Sequence, residues 1–239
     1  FFIEGGRSRS GKLILPKIGF LSILVEAYRE GYCDDLTFVP AAIVYDRIIE
    51  EKAYLKELEG DQKADESFHQ VVKARRFLKR KFGKIYIRFG EPLSLNDFVT
   101  SHPEEGSSGH KLLAFHLIRS INSATLATPF ALMATAILTR HRRGFHFMEL
   151  TETTERILSF FNTYHIPMAS TLSSHENAVR EALAELVSGG VINILENVDG
   201  SETFYYLSEA KIRELSYYKH SIIHYFVSHA FVALSLLAG

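Results

Sequence analysis

Phe1-Phe2-Ile3-Glu4-Gly5-Gly6-Arg7-Ser8-Arg9-Ser10-Gly11-Lys12 opens the chain, and its reading decides the fold. Three apolar residues stop at Glu4, the pattern of a buried strand that runs into a loop. Gly5 and Gly6 let the backbone approach a ligand closely. Arg7 and Arg9 carry planar forks of donors that match phosphate oxygens two at a time, and Ser8 and Ser10 add hydroxyls. The stretch therefore reads either as an anion site at a strand end, where α/β folds bind ligands, or as a solvated basic loop. It is not a nucleotide-binding Walker loop, because Leu13 rather than Ser or Thr follows Lys12.

Working outward, strand and helix patterns alternate over the first hundred residues, as in an α/β layer fold. Gly19–Glu30 has helical spacing at Phe20, Ile23, Leu24 and Ala27, with Gly31 placed to cap it. Thr37–Tyr45 reads as a buried strand interrupted by Pro40. Helical character follows in part of Ile48–Gly60 and over Asp65–Lys81. Ile85, Ile87 and Phe89 alternate with Tyr86 and Arg88, which predicts a strand with one buried face. Ser101–Gly109, rich in Ser, Gly and Pro, is a linker candidate.

Beyond that linker the pattern turns helical. Leu112–Thr139 is poor in charge and reads as buried helix, broken near Pro129. Glu149–Tyr164 and Asn177–Val187 are amphipathic helices, and Gly189-Gly190 ends the second. Val191–Val198 and Glu202–Leu207 flank Asp199-Gly200, a hairpin signal. A last helix is expected from about Ala210. Its segment Ile222–Leu237 is the most membrane-like stretch, yet it contains His224, Ser228 and His229 and reads as a buried helix.

The 239 residues are 46% hydrophobic and 23% charged, enough for a real core and unlike a disordered chain. A net charge of -1 gives no global field to recruit nucleic acid. The single cysteine, Cys33, sits beside Asp34 and Asp35, which disfavour a thiolate, and it fits a reducing compartment. The chain starts without Met and without a signal peptide, so residues upstream of Phe1 are expected.

The opening stretch resembles the third sequence motif of the glycerophospholipid acyltransferases, in the form found in enzymes acting on glycerol 3-phosphate and dihydroxyacetone phosphate. Phe38-Val39-Pro40-Ala41-Ala42-Ile43-Val44-Tyr45-Asp46 resembles the fourth motif. Tyr54–Gly60, Phe89-Gly90-Glu91-Pro92-Leu93 and Tyr217–Tyr225 resemble further landmarks, the last of them in the C-terminal region of the bacterial membrane-associated enzyme and its mitochondrial relatives. The resemblance covers nearly the whole chain. It implies transfer of a fatty acyl group from acyl-CoA or acyl carrier protein to the sn-1 hydroxyl of glycerol 3-phosphate in phospholipid synthesis. Dihydroxyacetone phosphate is the alternative acceptor. By motif position, Glu4, Gly5 and Arg7 hold the acceptor, with Arg7 on its phosphate, and Ser8 and Arg9 stand behind them. Pro40 shapes the acyl-donor side. No metal or prosthetic group is implied.

One departure is plain. The family's first motif, His-x-x-x-x-Asp, supplies the general base and the carboxylate that orients it. None of the eleven histidines is followed by Asp at the fifth position. The resemblance places this motif upstream of Phe1, so the chain is expected to hold part of the acceptor site without the base, and to be inactive alone.

Three features remain. Lys73–Lys81 is a dense basic run, readable as a solvated helix end, an anionic membrane surface, or a contact with the donor's phosphates. His220, His224 and His229 lack the partner carboxylate of a metal helix and read as core or interfacial histidines. The order helix, helix, hairpin over Glu149–Leu207 is that of a winged helix, which opens a competing reading as a non-catalytic protein-binding module. Between Glu149 and Glu209 only Arg156 and Arg180 are basic against ten acidic residues, so phosphate backbones are repelled and no nucleic acid is expected.

The fold class expected is α/β: the C-terminal part of a glycerophospholipid acyltransferase mixed-sheet domain over about residues 1–100, then a mostly helical region over 101–239 with a winged-helix-like hairpin unit near 191–207. The intact protein is expected at the cytoplasmic side of a cell membrane, peripherally bound.

Overall fold

The structure is a computed structural model, and it describes residues 1–6, 8, 10–46, 84–103, 109–195 and 202–238. The helices expected over 48–60 and 65–81, the basic run 73–81, most of the linker and the Asp199-Gly200 turn lie outside the described residues. What is described is a mixed α/β architecture followed by a mostly helical region. By contacts it forms two compact units that interleave along the chain. The first comprises Phe1–Ser8, Lys12–Val44 and Tyr86–Thr125; the second comprises Arg9–Gly11, Tyr45–Ile85 and Leu126–Gly239.

In the first unit, helix α1 (Gly19–Arg29) ends as expected: Gly31 at φ 79° takes the left-handed conformation that only glycine adopts cheaply. Its buried face is Leu21 and Val25, whereas Phe20 and Ile23 are exposed. Strands β1 (Thr37–Phe38) and β2 (Ala41–Tyr45) are separated at Pro40, which has no N–H to continue a ladder. β1 pairs antiparallel with β4 (Leu93–Ser94), and β2 pairs with β3 (Ile85–Phe89). Helix α2 (Leu95–Ser101) starts on Ser94, whose Oγ accepts from the Asp97 N–H at 3.2 Å. Asp35 braces the same corner. Its carboxylate accepts from the Asn96 and Leu36 N–H groups at 3.0 and 2.7 Å and from the Ser94 hydroxyl at 2.7 Å. Those bonds, the Asn96 one foremost, hold its carboxyl below the usual range. Helix α3 (Gly109–Ala124) completes the core by adding Leu113, Ala114, Leu117 and Ile118 to Ile3, Leu21, Val25, Phe38, Leu95 and Phe98.

Two expectations for this unit fail. Phe1–Ile3 is not a strand: the Gly5 N–H donates to the Phe2 carbonyl at 3.0 Å and closes a turn, leaving Phe1 and Phe2 exposed and only Ile3 buried. The β2–β3 pair is not buried either. Ala42 is buried, but Ile43, Ile85, Ile87 and Phe89 are all exposed; among the described residues the pair forms a sheet of two strands with its apolar face uncovered.

In the second unit, Thr128 caps helix α4 (Pro129–Arg140), with Pro129 in the first turn where its missing N–H costs nothing. Then come β5 (Phe145–His146), α5 (Phe147–Thr163), α6 (His175–Ser188), β6 (Ile192–Leu195) and β7 (Phe204–Leu207). The sheet order is β5-β7-β6, antiparallel throughout. Helix, strand, two helices and a hairpin whose return strand lies in the middle is winged-helix topology. Two histidine–threonine pairs lock its helices. Thr153 and Thr154 already donate to the Glu149 and Leu150 carbonyls, so each accepts from an imidazole N–H: His141 Nε2 at 2.8 Å and His175 Nε2 at 2.9 Å. Burial lowers the pKa of His141, Glu149 partly opposing it.

Helix α7 (Ile212–Ile222) packs Leu215, Tyr218 and Ile222 into this core. The single C-terminal helix expected from about Ala210 is broken at Ile223, where α8 (His224–Ala238) leaves at 86°. Nor is Ile222–Leu237 a buried helix: no residue of α8 is buried. Among the described residues nothing covers its far end. Among the described residues no single helix is long and apolar enough to cross a membrane.

Candidate functional site

The glycine-rich loop is tied at its base, where the Lys17 N–H donates to the Ile3 carbonyl at 2.8 Å. Ile3 is anchored in the first core, so the loop that departs at Glu4 has a fixed root. Glu4 is half-buried. Loss of water raises its carboxyl pKa, and a backbone hydrogen bond with Ile14 partly opposes the rise. Gly5 sits at φ 66°, and a Cβ there would run into the methylenes of Lys17. Position 5 thus demands glycine for its conformation, and the Lys17 stem lies over it. Next to it, no described atom comes within 4 Å of the place a Gly6 Cβ would take, so the peptide at Gly6 faces open space. The Ser8 hydroxyl donates to the Lys12 carbonyl and folds the far limb of the loop on itself.

Ser10 and Gly11 cluster with the second unit. There the Ser10 carbonyl accepts from His220 Nδ1–H at 2.8 Å, and Gly11, at φ 76°, lies against the Tyr217 carbonyl. Arg7 and Arg9 lie outside the described residues.

Pro40 is buried at the junction between β1 and β2. Its carbonyl accepts from the Gly90 N–H at 2.8 Å, and the ring lies 3.4 Å from where a Gly90 Cβ would stand. The Asp46 N–H donates to the Lys84 carbonyl at the other end of the pair, so β2 and β3 run antiparallel between these bonds. The structure therefore joins Pro40 to the Phe89–Leu93 landmark, and it joins Ser10 to the Tyr217–Tyr225 landmark. It gives Glu4, Gly5 and Ser8 their places in one loop. Among the described residues no group of three or more His, Cys, Asp or Glu side chains is placed to hold a metal ion.

Residues 54–239 match the family model described as the glycerol-3-phosphate acyltransferase C-terminal region. The chain belongs to this family. A glycerol-3-phosphate acyltransferase of Pseudomonas putida strain W619 is 30% identical over 248 aligned residues, covering 98% of this chain and 29% of the relative. Those of Pseudomonas paraeruginosa strain DSM 24068 / PA7 and Pseudomonas putida strain KT2440 are each 29% identical and cover 98% and 100% of this chain. The chain spans less than a third of the length of these curated relatives.

Membership of the glycerol-3-phosphate acyltransferase family leaves two supports that the sequence did not reveal. His220 reads as a core histidine by sequence, but it is the donor that holds the Ser10 carbonyl 210 residues away. Lys17 reads as one more basic residue of the loop, but its backbone closes the loop base and its stem covers Gly5. Neither could be found by local pattern, since both depend on the chain returning to a point far along the sequence.

Proposed function

We propose that the intact protein transfers a fatty acyl group from acyl-CoA or acyl carrier protein to the sn-1 hydroxyl of glycerol 3-phosphate, at the cytoplasmic face of a membrane. The loop Glu4–Lys12 of this chain is its acceptor-phosphate site. The observation that carries the reading is the loop itself: a tied root at Ile3–Lys17, a positive-φ glycine, open space at Gly6, and two arginines in its sequence. The names of the relatives support the same chemistry.

In this reading Arg7 grips two phosphate oxygens with its guanidinium fork, and Arg9 and Ser8 back it. Glu4, when ionised, accepts from a glycerol hydroxyl; its raised pKa eases the approach of a phosphate dianion. Pro40 contributes shape only, since its sole polar group, the carbonyl, already accepts from Gly90. The base that takes the glycerol proton lies outside this chain.

Chemical modification tests the assignment. Glycerol 3-phosphate should protect Arg7 from phenylglyoxal in a concentration-dependent way, and glycerol without phosphate should not. Equal labelling with and without glycerol 3-phosphate would remove Arg7 from the site. Competition with dihydroxyacetone phosphate in the same assay separates the two acceptors. The winged-helix topology of the β5-β7-β6 sheet with α4–α6 is the observation that favours the second reading, a protein-binding module.

A further inference from the structure

The side chain of Lys17 does not run straight out into solvent. It lies flat on the glycine-rich loop, with Cγ, Cδ and Cε all within 3.2 Å of the place a Gly5 Cβ would take. Only glycine at position 5 leaves that track open, so the missing Cβ serves the lysine as well as the φ of 66°. The root of the side chain is equally fixed. The Lys17 N–H donates to the Ile3 carbonyl at 2.8 Å, and Ile3 is held in the first core. A lysine stem ordinarily samples many rotamers and loses that freedom when its ammonium meets an anion. Here backbone and stem are both placed before a ligand arrives. The ammonium, one bond beyond Cε, is held beside the Gly5-Gly6 backbone.

What surrounds that ammonium narrows its role. Among the described residues no ion pair engages Lys17. Glu4, the acid of the loop, is not its counter-ion. A neighbouring ammonium would hold that carboxyl down, whereas burial pushes it up and the only opposing influence is the backbone hydrogen bond with Ile14. On the next residue, no described atom lies within 4 Å of where a Gly6 Cβ would stand. A located cation therefore flanks open backbone in the loop already read as a phosphate site.

We propose that Lys17 is a second phosphate-binding cation of the acceptor site, meeting the phosphate of glycerol 3-phosphate as a point charge from the limb that leads into α1. This rests on the reading of Glu4–Lys12 as the acceptor-phosphate loop and adds a source of specificity to it. Arg7 supplies a planar fork and Lys17 a compact charge, and two cations favour a dianionic phosphate monoester over a singly charged diester.

The test is a cycle of charges on the 239-residue chain. Lys17→Met keeps the stem on Gly5 and the backbone bond to Ile3 and removes the charge; Lys17→Gln is an independent neutral form, and melting temperatures check both folds. Calorimetry at slightly alkaline pH measures binding of glycerol 3-phosphate, a dianion, and of its phosphate methyl ester, a monoanion. The neutral variants should weaken glycerol 3-phosphate about tenfold and the methyl ester by no more than about threefold. An equal loss for both ligands gives Lys17 a purely structural part and overturns the proposal, as does binding that the variants leave unchanged. A parent chain that binds neither ligand removes the loop as a phosphate site, and this proposal with it. Arg7 is read separately by its phenylglyoxal protection, so that assignment and this one fail on different results.

Discussion

The backbone N–H of Gly90 donates to the carbonyl of Pro40 at 2.8 Å, and with that bond one motif residue braces another across fifty positions of sequence. The space around Gly90 sets how much can be placed there. A Cβ would stand 3.4 Å from the Pro40 ring and 3.5 Å from the Ser120 carbonyl, ordinary contact distances. Gly90→Ala should therefore change stability by less than about 1 kcal/mol, whereas the branches of Gly90→Val should cost about 1–3 kcal/mol by overpacking. Denaturant unfolding of both variants checks this. Equal losses would show that the backbone conformation, not the space, requires glycine.

Gly11 behaves oppositely. Its φ of 76° is strained for any residue with a Cβ, and that Cβ would strike the Tyr217 carbonyl, which is backbone and cannot turn aside. Gly11→Ala is expected to cost about 1–3 kcal/mol. Imidazole NMR should show the His220 Nδ1–H bond to the Ser10 carbonyl lost, with the backbone amides of α7 exchanging as before.

Thr154 is fully buried and serves twice, donating to a helix carbonyl and accepting from His175. Thr154→Val keeps the shape and leaves the His175 N–H unpaired. A loss of about 1–3 kcal/mol is expected, measured by unfolding, and His175→Phe in the same background should add little further.

The pH behaviour of Glu4 follows from its burial. A carboxyl whose pKa is raised on folding keeps its proton longer in the native state than in the unfolded chain. Its contribution to stability is thus present below the ordinary carboxylate value and is lost as pH rises through the raised value. Glu4→Gln should remove that dependence, so the variant gains on the parent between about pH 4 and pH 7. Melting temperatures across this range decide it, and parallel curves would mean that Glu4 is solvated.

Acyl transfer gives the simplest prediction. The 239 residues contain no His-x-x-x-x-Asp, so the chain should form no lysophosphatidic acid from glycerol 3-phosphate and acyl-CoA above background. Robust turnover, followed with radiolabelled glycerol 3-phosphate, would place the base among the histidines present.

Local patterns made much of this fold legible. The stops at Gly31, Pro40 and Pro129 come from backbone chemistry that acts residue by residue, and the structure has all three. The helical faces through Leu158, Phe161, Val179, Leu183 and Leu186 are likewise where the periodicity puts them. What failed was burial inferred from apolarity. Phe1 and Phe2, the β2–β3 face and α8 have core-like composition, yet whether an apolar residue is covered depends on what else packs there. In the site, the glycines and the loop were legible from sequence. Lys17 over Gly5 and His220 on Ser10 were not, being contacts that no window of sequence contains.

The interleaving of the two units has a consequence for synthesis. Leu21 and Val25 are made about ninety residues before Leu113, Leu117 and Ile118, side chains that cover them in the first core. At about 5–20 residues per second, that is a wait of roughly 5–20 s during which the nascent chain carries an open apolar helix. The second strand of the β2–β3 pair arrives only partway through it. Until then α1 has only Ile3 and Phe38 of its buried core partners nearby in sequence, so it has to be shielded during translation until α3 emerges.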